Sequence, residues 1–158
     1  MKQPDEIVRA RSDDAHDILP LMVAFNQAEI IPWRPDVMVP ALHRLLNDDN
    51  LGIVLVARSG AGRSLVGYSL ATFGYDIEFA GRDAFVTELF VDAAARGRGL
   101  GRRILASTLE HLRQSGVNAA HLVVRPENHR ARSLYEGVGF QVSPRILMTK
   151  QLTPGESS

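Results

Sequence analysis

Residues 84–124 carry the pattern that most restricts the fold. Ala84 to Val91 reads as a strand, and Leu100, Ile104, Leu105, Thr108, Leu109 and Leu112 then recur at helical spacing until Gly116 stops the helix. His121-Leu122-Val123-Val124 reads as another strand. A strand, a helix and a strand in succession make a crossover, and a crossover joins parallel strands. The chain therefore needs a sheet with a parallel pair and a helix packed against it.

The remaining segments extend that sheet. Ile7-Val8-Arg9-Ala10 reads as a first strand, followed by Ser12 as a helix N-cap with Asp13 and Asp14 in the favourable first turn. Ile18, Leu19, Met22, Val23 and Phe25 predict a helix over 13–28, kinked or restarted at Pro20. Glu29 to Pro35 reads as a loop holding Trp33, the only tryptophan. Val37, Leu42, Leu45 and Leu46 predict a helix near 36–47, with Pro40 tolerable only in its first turn. Strands at 53–57 and 65–73 around the turn Ser59-Gly60-Ala61-Gly62 form a hairpin, and a turn at Gly81-Arg82-Asp83 leads to the strand at 84–91. A short helix over 129–136 and late strands near 139–143 and 145–152 complete the series. The expected fold class is α/β, a mixed sheet of six to seven strands flanked by about four helices. At 158 residues this is a single domain over 1–152 with a flexible polar tail at 153–158.

Composition removes several kinds of chemistry. The chain has no cysteine, so disulfides, thiolate metal sites and a cysteine nucleophile are excluded. Eighteen basic and eighteen acidic residues balance to zero, which argues against nucleic-acid or membrane adhesion by bulk charge. No apolar run approaches a membrane span, and the polar stretch Met1–Ile7 is not a signal peptide, so the expected compartment is the cytoplasm. His16, His43, His111, His121 and His129 show no metal-ligand spacing, and no metal is expected.

The string Arg96-Gly97-Arg98-Gly99-Leu100-Gly101 lies between a strong strand and a strong amphipathic helix. A helix N-terminus offers unpaired N–H groups and partial positive charge, and glycines let that backbone approach an anion. With Arg102 and Arg103 following, these residues suit a phosphate or pyrophosphate. A solvated Gly-rich turn is the plainer alternative. There is no Walker A string, and Gly97, Gly99 and Gly101 fall one residue short of the dinucleotide fingerprint. A nicotinamide binder with Arg125 on a 2′-phosphate is thereby disfavoured.

Downstream lies Asn128-His129-Arg130-Ala131-Arg132-Ser133-Leu134-Tyr135-Glu136-Gly137-Val138-Gly139-Phe140, with Asn128 as helix cap and Ala131, Leu134 and Tyr135 on one face. The Arg-x-x-Gly-x-Gly string at 96–101, followed by Asn-x-x-Ala-x-x-x-Tyr-x-x-x-Gly-Phe at 128–140, closely resembles the GNAT superfamily of acetyl-CoA-dependent N-acetyltransferases. The resemblance implies that the strands near 84–91 and 121–125 splay into a notch. Acetyl-CoA would then bind as co-substrate, with pantetheine paired along Leu89, Phe90 and Val91 and the pyrophosphate on Arg96, Gly97, Arg98, Gly99, Leu100, Gly101 and Arg102. Asn128, Ser133 and Tyr135 would add further contacts. Ala93 departs from the family, which often has proline before this loop.

The resemblance also implies acid–base roles. Glu88 matches the family's occasional strand glutamate and would serve as base; on an alternating strand it shares a face with Phe90, while Thr87 and Leu89 take the other. A half-exposed glutamate paired with an arginine is the plain alternative. Tyr135 matches the usual proton donor to the leaving thiolate, with core packing as its alternative. Phe25, Glu29, Trp33, Tyr75, Asp76 and Glu78 are candidates for the acceptor pocket, where carboxylates and aromatics suit a cationic amine. The expected activity is acetyl transfer to a primary amine of a small molecule, with no nucleic-acid or membrane partner and with a homodimer left open. A protein N-acetyltransferase, an acyl-CoA sensor without catalysis and a nicotinamide enzyme are the competing readings.

Overall fold

The computed structural model describes residues 3–60 and 63–153. Its residues group into two compact units, Met1–Val124 and Arg125–Ser158. The first holds β1 (Glu6–Arg9), α1 (Ala15–Ala28), α2 (Pro35–Asn47), β2 (Gly52–Arg58), β3 (Leu65–Asp76), β4 (Gly81–Val91), α3 (Leu100–Gln114) and β5 (Ala119–His121). The sheet order is β1-β2-β3-β4-β5. β1 to β4 pair antiparallel, and β4 pairs parallel with β5, as the crossover through α3 requires.

Two apolar layers cover the sheet. On one face Ile18, Leu21, Met22 and Leu42 of α1 and α2 pack against Val54, Val56, Tyr68, Leu70 and Phe90. On the other, Leu112 of α3 packs with Ile53, Ala71, Ala84 and Val86, while Leu100 and Ile104 pack with Ala57 and Ala95. α3 lies close because β3 is bare at Gly67, where a Cβ would come within 2.9 Å of Ile104 Cδ1. A buried hydroxyl pair, Ser69 Oγ and Thr108 Oγ1 at 2.6 Å, ties α3 to β3. No helix among the described residues is long and apolar enough to cross a membrane.

Several expectations need correction. Five strands form among the described residues, not six or seven. Residues 139–143 and 145–152 make no ladder, because an alternating sequence specifies a face but supplies no partner. β5 ends at His121 rather than running to Val124, since its register with Asp83–Phe85 closes there. The β3–β4 turn falls at 77–80, and Gly81-Arg82-Asp83 instead extends β4. α1 runs unbroken through Pro20, and Pro40 lies inside α2 beyond its first turn. Each proline forfeits one backbone bond, and the buried faces of the two helices hold them together regardless. Ser12 opens a short 3-10 turn, Ser12–Asp14, with Arg11 at its N-cap. Ala61, Gly62 and the tail from Pro154 lie outside the described residues.

The second unit contains α4, His129–Gly137. The Asn128 side chain accepts a hydrogen bond from the Ala131 N–H at 3.2 Å, the expected cap. Ala131, Leu134, Tyr135 and Val138 are half-buried, a stripe at helical spacing.

The hydroxyl pair yields a stability prediction. Thr108→Val should destabilise the protein by about 1–3 kcal/mol in urea unfolding, because Ser69 is left buried without its partner. Adding Ser69→Ala should recover most of that loss.

Candidate active site

β4 leads directly into the glycine–arginine string. It ends at Val91, a short 3-10 turn covers Ala93–Ala95, and α3 begins at Leu100. Gly97 and Gly99 take positive φ values of 80° and 73°, a conformation that other residues adopt at a cost. A Cβ at either would meet nothing within 4 Å, so the turn faces open space. No side chain caps α3, and the Arg103 N–H to Gly99 carbonyl bond lies at its start. The N–H groups of Leu100, Gly101 and Arg102 precede the helical ladder. Open N–H groups at a helix start, with no side chain over the two glycines, are a geometry that suits an anion such as a pyrophosphate.

The surrounding arginines are already oriented. Arg96 Nε–H donates to the Val91 carbonyl at 2.9 Å, and its guanidinium lies 5.5 Å from the Phe90 ring centroid. Arg98 stands 3.7 Å from the Asp5 carboxylate, and Arg103 donates to the Asp5 carbonyl at 2.7 Å. A bound anion would therefore compete with Asp5 for Arg98.

Beside the cradle, β4 has an open edge. Its ladder with β5 covers only Asp83–Phe85, so Val86–Val91 have no strand on that side among the described residues. The six-residue edge includes Leu89, Phe90 and Val91, and can pair with an extended chain of amides.

Glu88 reaches its position through a bulge. Leu70 pairs with Glu88 and Ala71 with Val86, which leaves Thr87 as an extra residue on β4. Ala84 and Val86 face α3, yet Glu88 and Phe90 join Tyr68 and Leu70 on the opposite face. Glu88 and Phe90 share a face as expected, and the bulge decides which one. The carboxylate accepts a 2.7 Å hydrogen bond from the Tyr68 hydroxyl. Burial raises the Glu88 pKa above the ordinary carboxylate range, with the Tyr68 bond opposing in part. Burial, reinforced by the Glu88 charge, holds the Tyr68 hydroxyl far above its usual value, so it stays a donor. Glu88 is thus a half-buried carboxylate held by a tyrosine rather than by an arginine. Sequence reasoning missed Tyr68, because its partnership depends on the β3–β4 register.

The acceptor candidates separate. Phe25 and Trp33 pack against the apolar layer that contains Tyr68 and Phe90, the Glu88 side of the sheet. Glu29 caps the end of α1. Tyr75 continues the face of Ala71 and Phe73 and lies opposite Arg82, so it is on the other side from Glu88. Glu78 lies exposed in the β3–β4 turn, where its N–H donates to Asp76 Oδ1 at 2.8 Å. Ser133 is exposed on α4, and Tyr135 meets Phe140 edge-on with centroids 6.1 Å apart. Among the described residues no group of three or more His, Asp or Glu could hold a metal ion.

The acetyltransferase (GNAT) family profile matches residues 18–140. The chain belongs to the GNAT family. It is 41% identical over 86 residues to the N-alpha-acetyltransferase RimI of Mycobacterium tuberculosis, covering 54% of this chain and 49% of that protein. It is 33% identical over 132 residues to the mycothiol acetyltransferase of Propionibacterium freudenreichii, covering 80% of this chain and 41% of the relative. A thialysine N-epsilon-acetyltransferase from Bos taurus is 32% identical over 80 residues, or 51% of this chain and 46% of that one. The chain thus spans less than half of the length of these curated relatives. Among solved structures, an integron cassette protein from a salt-marsh metagenome is 28% identical with a TM-score of 0.81, covering 94% of this chain and 91% of that one. A ribosomal-protein-alanine N-acetyltransferase from Brucella melitensis shares the fold at a TM-score of 0.75 and 22% identity, covering 94% and 100% of the two chains.

For a GNAT chain with this cradle, Gly99→Glu should abolish acetyl-CoA binding in calorimetry. It places a negative charge beside the anion site and a Cβ on a φ of 73°. Gly99→Ala carries the backbone strain without the charge and should retain binding, since its Cβ meets open space.

Proposed function

We propose that this chain transfers the acetyl group of acetyl-CoA to a primary amine of a small molecule. The observation that carries the reading is the bulged strand β4. It holds a half-buried, tyrosine-bonded carboxylate on one face and runs on into an open glycine turn at a helix N-terminus. A sensor without catalysis would need the cradle but not Glu88 in that setting.

The residues divide the work as follows. The N–H groups of the 96–102 segment would hold the pyrophosphate, and the free edge of β4 at Leu89–Val91 the pantetheine amides. When bound, acetyl-CoA supplies an activated thioester. An alkyl ammonium has a pKa near 10.4, so the acceptor must lose a proton before it attacks. The Glu88 carboxylate takes that proton, and its raised pKa makes it a stronger base nearer neutral pH. The Tyr135 hydroxyl would return a proton to the departing thiolate. Phe25, Glu29 and Trp33 remain the acceptor-side candidates.

Acetyl-CoA assayed with thialysine, an amino sugar and a peptide with N-terminal alanine tests the substrate class. Turnover of the first two in preference to the peptide supports the proposal, and preference for the peptide replaces it with protein N-acetylation. That second reading is kept because RimI is among the relatives.

Two variants probe the acid–base roles. Wild-type kcat/KM should rise with pH as Glu88 ionises through its raised pKa. Glu88→Gln should lose that limb, with its largest deficit near neutrality and a smaller one at high pH, where free amine is abundant. Tyr135→Phe should bind acetyl-CoA normally and lower the single-turnover rate by roughly 10²- to 10⁴-fold, the range for a general acid. Wild-type single-turnover rates in that variant would reduce Tyr135 to packing.

A further inference from the structure

Arg96 opens the glycine turn, but its side chain folds back along β4. Its Nε–H donates to the Val91 carbonyl at 2.9 Å, five residues earlier in the chain. Its guanidinium carbon lies 5.5 Å from the Phe90 ring centroid, within range of a cation–π contact. The Phe90 ring is buried with Tyr68 and Leu70, so the guanidinium rests against an ordered surface. Arg98 and Arg103 are turned toward Asp5 instead.

Strand register shows which way the occupied carbonyl points. The Asp92 N–H donates to the Val66 carbonyl at 2.8 Å, and Gly67 is the register partner of Val91. Gly67 and Val91 are therefore a non-hydrogen-bonded pair, whose own N–H and carbonyl groups point away from each other. The Val91 carbonyl thus faces the edge of β4 that has no strand from Val86 onward among the described residues. Leu89, two residues earlier and paired with Ser69, points the same way. An added chain of amides would use the outward groups of these two residues. One of their two carbonyls is already taken by Arg96.

We propose that Arg96 closes this end of the β4 edge in the free protein and makes its opening depend on a pyrophosphate. Arg96 is then a specificity-determining residue, which selects coenzyme A thioesters over thioesters on a bare pantetheine arm. The proposal rests on the reading of 89–91 and 96–102 as the acetyl-CoA site. The strengths of the competing donors decide the exchange. Arg96 brings a cationic N–H to the Val91 carbonyl, and charge-assisted hydrogen bonds are stronger than neutral ones. A pantetheine amide is neutral, so by itself it would replace a stronger donor with a weaker one. A pyrophosphate on the N–H groups of 96–102 reverses the balance, because it offers the guanidinium an anionic, bidentate partner. Arg96 is the first residue of that segment, so rotation about its own side-chain bonds carries it from the edge to the anion. The Val91 carbonyl is then open to the pantetheine amide.

Nitrogen-15 NMR of the arginine Nε–H groups on the whole chain tests the closed state, with Arg96→Lys used to assign the signal. In the free protein the Arg96 Nε–H should exchange slowly with water. Coenzyme A should shift this signal and speed its exchange, whereas pantetheine at the same concentration should leave it in place. If coenzyme A shifts the amides of 89–91 and 96–102 but the Arg96 Nε–H stays protected, the proposal is overturned and the acetyl-CoA reading survives. If coenzyme A shifts neither set of amides, the acetyl-CoA reading fails and the proposal falls with it. Affinities read from the 89–91 amides supply a second test. Arg96→Ala should bind pantetheine about three- to tenfold more tightly than the wild type, the worth of one competing hydrogen bond. Its affinity for coenzyme A should show no such gain, so the preference for coenzyme A over pantetheine narrows. No detectable gain for pantetheine, or an equal gain for both ligands, overturns the proposal.

Discussion

Thr87 has no place in the register with β3, and the position of Glu88 follows from that one extra residue. Without the bulge, strict alternation would put residue 88 on the same side as Ala84 and Val86, under α3. A carboxylate there would be buried among apolar side chains with no donor. With the bulge, Glu88 meets the Tyr68 hydroxyl at 2.7 Å and turns toward the face that also holds Phe25 and Trp33. The same extra residue lets Leu89 and Val91 pack on the α3 side as β4 approaches the cradle.

The cradle depends on how tightly α3 is seated. Gly67 removes a side chain that would collide with Ile104, and the Ser69–Thr108 hydroxyl pair fixes the helix against β3. α3 starts at Leu100, after the short turn that follows the end of β4 at Val91. The crossover also accounts for the free edge of β4. β5 pairs with β4 for only three residues, so the strand that makes the sheet parallel also leaves the rest of that edge unpaired.

Much of this was legible beforehand because it is local. Glycines at 97 and 99 and a strong helical stripe specify a turn into a helix N-terminus, and the structure has that turn, with positive φ at both glycines ahead of Leu100. The Asn128 cap was legible for the same reason, since Asx capping spans only three residues. The Tyr68–Glu88 bond and the Asp83–His121 pair were not. Each joins residues that are distant in sequence and meet only through strand register. Tyr75 was legible as an aromatic near the turn, but its face was not.

The sequence by itself determined the elements up to α4, the crossover, and the chemistry available at residues 96–102. Periodicity, capping and glycine conformation act over a few residues and need no distant partner. Only the tertiary structure decided that β4 bulges at Thr87, that β5 ends at His121 and that 139–152 form no ladder. Strand pairing is a contest between registers, and the energies that settle it come from packing on both faces of the sheet rather than from the strand's own residues.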